Sequence, residues 1–248
     1  MAKVSGRRLP LSLPRRWIDD LMRISRGRPV ITFERRMHLA AVAAAQESAK
    51  ISWSLLFAKA FAIVAQRRSE LRRAYMHYPW PHLYECAESL ASVALERDYQ
   101  DETGVFFAVI REPATQPLSR LQETLNRWKT APLESVSDFR RLLRLARQPR
   151  LVRRFLWWYG MNATGRIRAI NFGTYGISAT AGSGATALNL IAPVATTINY
   201  GPFDAEHRLD VRLHFDHRVY DGMTAARALA EIEEVLETEI AAELQKMA

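Results

Sequence analysis

His217, Asp221 and Gly222 are the residues of this chain whose types and spacing best suit chemistry. They stand in the run His217-Arg218-Val219-Tyr220-Asp221-Gly222. An imidazole changes charge between about pH 5 and 8, so it can take a proton and return it near neutrality. The flanking elements must hold it where that is useful. Before it, Leu209-Asp210-Val211-Arg212-Leu213-His214-Phe215 alternates with period two and predicts a half-buried strand. After it, from Met223 to about Met247, Leu229, Ile232, Leu236 and Ile240 recur at helical spacing. The histidine is therefore predicted at a strand end, with a helix starting at Asp221-Gly222. Asp221 can cap that helix, and Gly222 allows tight packing or a special backbone angle. His214 falls on the opposite face of the strand from His217. The pair is not read as metal ligands, and no carboxylate cluster completes a metal site.

The chain has 248 residues, 48% of them hydrophobic, enough for a substantial core. With no repeat and no long Gly/Ser linker, residues 1–248 are read as a single domain. The lone Cys86 excludes an internal disulfide framework and a cysteine-built zinc site. No run of 18 apolar residues is present, so no membrane-spanning helix is expected. Met1 to Pro10 carries charge without an apolar stretch, and a cytoplasmic location is the expectation. The net charge is +9, from thirty Arg and five Lys against 26 acidic residues. Arg favours phosphate and carboxylate partners, although a solvated basic surface explains the charge equally well. No recognition helix, RNA-binding strand or zinc finger accompanies it, so no nucleic-acid partner is expected.

Helices are predicted over Leu13–Ser25, with Pro14 in the opening turn, and over Trp53–Gln66 and Pro117–Trp128. Pro29–His38, Leu90–Leu95, Val105–Ile110, Ile177–Ala181 and Ala195–Tyr200 read as strands, and Gly182-Ser183-Gly184 as a turn. After Arg168 the pattern turns strand-rich. Helices and strands mix without strict alternation, which predicts an α+β or mixed α/β sandwich.

Residues 139–159 stand apart. Seven arginines interleave with Leu142, Leu143, Leu145, Leu151, Val152, Phe155, Leu156, Trp157 and Trp158, and no acidic residue occurs from Phe139 through Phe203. Pro149 should split the segment into two short helices. Such a segment can pack its apolar face on the domain. It can also lie peripherally on an anionic membrane, such as an inner membrane, with Arg on phosphate and Trp at headgroup depth.

Phe215-Asp216-His217-Arg218-Val219-Tyr220-Asp221-Gly222, followed by Ala225-Ala226-Arg227-Ala228-Leu229, resembles the signature of the 2-oxoacid dehydrogenase acyltransferases. These are the dihydrolipoamide acyltransferase catalytic domains, related in fold to chloramphenicol acetyltransferase. Asn171-Phe172-Gly173-Thr174-Tyr175-Gly176 is similar to the family's Asn-Leu-Gly-x-Phe-Gly turn, and Pro193 through Gly201 to the strand that follows it. Arg15-Arg16-Trp17-Ile18 is similar to the family's opening helix. The resemblance covers most of the chain. It implies a chloramphenicol acetyltransferase-like two-layer sandwich, a mixed β-sheet flanked by helices, and a homotrimer with its sites between subunits. No lipoyl or subunit-binding domain and no lipoyl-lysine hairpin is recognisable, so no attached lipoate is expected. A free-standing acyltransferase using coenzyme A thioesters as substrate fits better, with 139–159 an addition to the family pattern.

The resemblance makes His217 the general base, removing a proton from an acceptor thiol or hydroxyl that attacks the acyl thioester. It gives Asp221 a salt bridge to an arginine, with Arg15 or Arg16 the candidates, and leaves Asn171 and Gly222 to shape the site. The family's oxyanion-stabilising serine precedes the Asn of the turn; here Ile170 holds that position, with Thr174 the preferred substitute and Ser178 a second hydroxyl. Losing such a donor costs about 10²–10³ in rate. The alternative is a weakly active or inactive scaffold or binding subunit of a 2-oxoacid dehydrogenase-type assembly.

Overall fold

The computed structural model describes residues 10–179 and 184–247. Helix α1 (Leu13–Ser25) starts where the Ser12 hydroxyl accepts from Arg15 N–H at 3.3 Å, with Pro14 in the first turn. Its Trp17 is fully buried and donates to the Val105 carbonyl at 3.0 Å. Then come β1 (Val30–His38), α2 (Ala40–Ala49) and α3 (Trp53–Arg67). A hairpin of β2 (Arg73–Met76) and β3 (His82–Glu85) precedes the long pair β4 (Leu90–Tyr99) and β5 (Glu102–Arg111). Four helices follow: α4 (Leu118–Thr130), α5 (Ser137–Ala146), α6 (Arg150–Asn162) and α7 (Gly165–Phe172). The chain ends with β6 (Tyr175–Ala179), β7 (Thr196–Tyr200), β8 (Arg208–Asp216), α8 (Gly222–Val235), a π turn over Leu236–Ile240, and α9 (Ala241–Gln245).

Six strands form one mixed sheet in the order β1-β8-β7-β6-β4-β5. The inner pairs β7/β6 and β6/β4 are parallel, and the other three are antiparallel. Helix α3 covers the sheet centre. Its face from Leu55 to Ala65 is buried throughout, and its alanines let it approach closely. Lys59, within that face, donates to the Gln116 carbonyl at 2.8 Å and to Glu243 at 2.5 Å. Buried in this way, a charge needs both partners. Helix α8 lies beside α3 and buries Ala225, Ala228, Leu229, Ile232 and Val235. This is the mixed sheet flanked by helices that the sequence implies.

Three expectations are corrected. The chain after Arg168 is first helical: α7 is capped by the Thr164 hydroxyl, which accepts from Ile167 N–H at 3.1 Å. It ends at Gly173, whose φ of +84° suits glycine, and where a Cβ would sit 2.8 Å from the Leu90 carbonyl. Cap chemistry outweighs the strand preference of Ile167 and Ile170. Helix α2 and the β2–β3 hairpin were not expected, and β4 and β5 run further than predicted, to a two-residue connection. The end of the expected 177–181 strand and most of the 182–184 turn lie outside the described residues. Pro149 does separate α5 from α6.

Candidate functional site

Strand β8 buries Leu209, Val211, Leu213 and Phe215, and near its end also His214 and Asp216. At the end of the strand and just past it the backbone is braced. Asp216 N–H donates to the Ala195 carbonyl (2.9 Å), His217 N–H to the Pro29 carbonyl (3.1 Å) and Val219 N–H to the Asp216 carbonyl (2.9 Å). The Asp216 carboxylate accepts from Arg218 N–H at 3.1 Å, Nε at 2.9 Å and Nη2 at 2.7 Å. Burial opposes its charge, but the Arg218 hydrogen bonds and the charges of Arg218 and Arg28 prevail and hold the carboxyl below its ordinary value. Tyr220 is buried, stacked on Phe215 at 4.8 Å, with its hydroxyl 2.7 Å from Thr196 Oγ1. Gly222 admits Phe33: a Cβ there would lie 2.5 Å from the ring, so close packing is its role.

This bracing leaves the side chains of His217 and Asp221 outward. The His217 side chain is 42% exposed, and its Nδ1 lies 3.6 Å from Asp221 Oδ1. That is too long for a hydrogen bond. Asp221 occupies the N-cap of α8, yet its side chain makes no capping bond; its carbonyl accepts from Thr224 and Ala225 N–H instead. His214 faces away, buried, with Nδ1 2.8 Å from the Thr32 hydroxyl. Burial, with the nearby Arg212 charge, lowers its pKa to about 4, so it is neutral at pH 7.

Several expected partners are elsewhere. Arg15 pairs with Glu102 at 2.8 Å and Arg16 donates to the Leu11 carbonyl at 3.0 Å, so neither meets Asp221 within the chain. Local sequence could not show this for Arg15, whose partner on β5 lies 87 residues away. Thr174 is also committed: its hydroxyl accepts from Leu90 N–H at 3.0 Å and donates to the Leu90 carbonyl at 3.3 Å. It sits before β6, two strands from β8 and so about 10 Å across the sheet. Its role is to latch β6 to β4, and it does not join His217. Asn171, on α7, donates to the Ile167 carbonyl at 2.8 Å and accepts from Arg141 at 2.9 Å. Ile170 is partly exposed on α7, and Ser178 lines an apolar cavity.

Three adjoining cavities run beneath α1, α5 and α6. The largest, about 430 Å³, is lined by Leu142, Leu145, Leu156, Trp157 and Phe172 together with Arg141 and Arg144. A narrow one of about 40 Å³ shares Trp157 and Phe172 with it, and shares Ser92 and Pro193 with a third of about 210 Å³. That third cavity ends against Gly176, Val194 and Thr197. His217 lines none of these; its ring faces outward beside the exposed edge strand β1.

Helix α6 has two faces. Arg153 and Trp157 are buried, Arg153 bonded to the buried Asp20 of α1 and Trp157 stacked on Phe172 at 5.4 Å. On the other face Leu151 is 79% and Phe155 59% exposed, beside the partly exposed Val152, Leu156, Trp158 and Tyr159. The hairpin residues Tyr78, Trp80 and Leu83 add to this apolar surface, with Tyr78 edge-on to Trp158 at 5.7 Å. No helix among the described residues is long and apolar enough to cross a membrane.

No protein-family model and no curated protein matches the chain. Solved structures do match. A dihydrolipoamide acetyltransferase of Azotobacter vinelandii shares 18% identity at a TM-score of 0.67, over 97% of this chain and 94% of the other. In that protein a serine, a histidine and an asparagine have been investigated for their role in the catalytic mechanism. The truncated catalytic core of a 2-oxoacid dehydrogenase multienzyme complex from Thermoplasma acidophilum matches at TM-score 0.68 and 15% identity, over 94% of this chain and 99% of the other. A chloramphenicol acetyltransferase matches at 0.51 and 12% identity, over 88% and 92%. The chain thus has the fold of dihydrolipoamide acyltransferase cores and of chloramphenicol acetyltransferase.

Proposed function

We propose that the chain is an acyltransferase using coenzyme A thioesters, with His217 as general base. The observation that carries this is the braced 216–222 turn, in which Asp216 and Tyr220 are buried and bonded while the His217 imidazole stands outward beside the exposed Asp221 carboxylate. Nδ1 faces Asp221, so Nε2 is the nitrogen that accepts a proton from the acceptor thiol or hydroxyl. The acceptor oxygen or sulfur then bonds to the thioester carbonyl carbon, and its electron pair moves onto the carbonyl oxygen. Collapse re-forms the carbonyl, breaks the carbon–sulfur bond and releases the thiolate, which takes the proton back from His217. No covalent enzyme intermediate is needed.

The chain's edge strand supports assembly around this site. Val30 and Ile31 of β1 are 39% and 37% exposed next to the Pro29 carbonyl that holds His217. A neighbouring subunit of a homotrimer covers that edge, brings an arginine to Asp221 and supplies the oxyanion donor that Thr174 does not. The apolar cavities and the exposed face of α6 favour a hydrophobic acyl group or acceptor, met at the surface of an anionic membrane. Thiol release from a panel of acyl-coenzyme A thioesters, with alcohol and thiol acceptors, tests the reaction. Turnover that falls by about 10²–10⁴ in His217→Ala supports it; equal, near-zero rates in both proteins reject it.

A second reading rests on a specific observation. Ile170 replaces the serine of the resembled family, and the Thr174 hydroxyl is already bonded to Leu90. A non-catalytic scaffold subunit fits both facts, and the same panel separates the two readings.

A further inference from the structure

Behind the catalytic turn lies a polar cavity of about 150 Å³ that the acyl-transfer chemistry above does not use. Arg26 and Arg28 come from the segment after α1, Arg168 from α7 and Arg218 from the turn itself, with His77 at one side. No carboxylate lines the cavity; Asp216, behind it, is bonded to Arg218. Three of these guanidinium groups, Arg28, Arg168 and Arg218, therefore share one carboxylate, and Arg26 has none among the described residues. Arg168 is only 5% exposed. It is held by carbonyls, donating to Tyr75 at 2.6 Å and Pro193 at 3.0 Å, as Arg28 does to Ala192 at 2.9 Å. Carbonyl dipoles orient these cations but do not neutralise them. Arg28 Nε and Nη2, Arg168 Nε and Arg218 Nη1 have no partner among the described residues. Arg218 is further fixed by stacking over the Tyr75 ring at 4.3 Å.

We propose that this cavity binds a phosphoryl group carried by one of the two reactants. Three elements aim planar donors at it from different sides, which suits a tetrahedral oxyanion better than a single flat carboxylate. The volume holds one such group and little beyond it, so the rest of the ligand must leave through the opening. Position ties it to the reaction: Arg218 follows His217 directly, and Arg28 precedes the Pro29 whose carbonyl holds the His217 amide. Burial and mutual repulsion lower Arg28 to about 10 and Arg168 to about 9, the cost an arriving anion would relieve. Both remain cationic at neutral pH. This inference deepens the acyltransferase reading for its link to substrate, but binding itself needs no turnover.

The test is calorimetric titration of the full chain with inorganic phosphate and pyrophosphate at low ionic strength. Saturable binding is expected, weakened about five- to tenfold in Arg26→Ala. That side chain is exposed and makes no hydrogen bond among the described residues, so the variant keeps its fold. Arg168→Met should abolish binding; should it fail to fold, Arg26→Ala decides. Coenzyme A against pantetheine, and glycerol 3-phosphate against glycerol, identify the reactant. The phosphorylated member of one pair should lose affinity in Arg26→Ala while its unphosphorylated counterpart does not. Absence of phosphate binding, or equal binding by wild type and Arg26→Ala, overturns the proposal, as does insensitivity of both phosphorylated ligands. Turnover without phosphate binding removes this inference alone; phosphate binding without turnover removes the acyltransferase reading alone.

Discussion

The 216–222 turn and the outer face of α6 solve opposite problems. In the turn, the buried polar groups are bonded: Asp216 to Arg218, Tyr220 to Thr196, the His217 amide to Pro29. On α6, apolar groups are exposed, Leu151 and Phe155 above all. Buried polar groups demand geometry, because a missing partner costs the whole desolvation penalty. An exposed apolar face demands only amphipathy. The first region therefore specifies one arrangement around one imidazole, and the second supplies area for something else to cover.

That contrast can be broken from its costly side first. Asp216→Ala leaves Arg28, Arg168 and Arg218 without their shared carboxylate, and a loss of about 3 kcal/mol is expected in denaturant unfolding. A loss below about 1 kcal/mol would mean the turn is held by packing alone.

Acid should act at the neighbouring buried histidine. His214 titrates near 4 in the folded chain and near 6.5 unfolded. The unfolded state binds the extra proton, so stability is full above about pH 6.5 and falls as pH drops towards 4, by up to about 3 kcal/mol. Unfolding measured across that range in wild type and in His214→Asn should show the slope only in wild type.

A smaller effect is expected at Gly222→Ala, whose added Cβ meets Phe33. About 1–2 kcal/mol should be lost, and most of it recovered when Phe33→Ala is added. Simple additivity of the two changes would separate Gly222 from that ring.

The least stability effect belongs to α6. Phe155→Ser combined with Leu151→Ser should change unfolding free energy by less than about 0.5 kcal/mol. The same change should abolish flotation with anionic liposomes. Retained flotation would move the membrane contact away from this face.

Sequence reading reached the parts of the molecule that depend on near neighbours. Period-two alternation located β8, helical spacing located α8, Pro149 marked the break between α5 and α6, and the position of His217 at the strand end followed. It failed where partners are distant along the chain. Thr174 resembled a free hydroxyl until the fold brought Leu90 to it, 84 residues away. Arg15 found Glu102, 87 residues away, rather than Asp221. Arg28, Arg168 and Arg218 carry no common motif, and only the fold gathers them behind the turn. In α7, a threonine cap and a terminal glycine decided a helix that the isoleucines alone disfavour.

The central claim is that the His217 imidazole carries the proton in acyl transfer. Its most direct test is the rate of thiol release from acyl-coenzyme A by His217→Ala, measured with and without added imidazole and beside wild type. The account predicts a variant that folds normally, runs about 10²–10⁴-fold slower and regains part of its rate with imidazole. A variant as fast as wild type would contradict it.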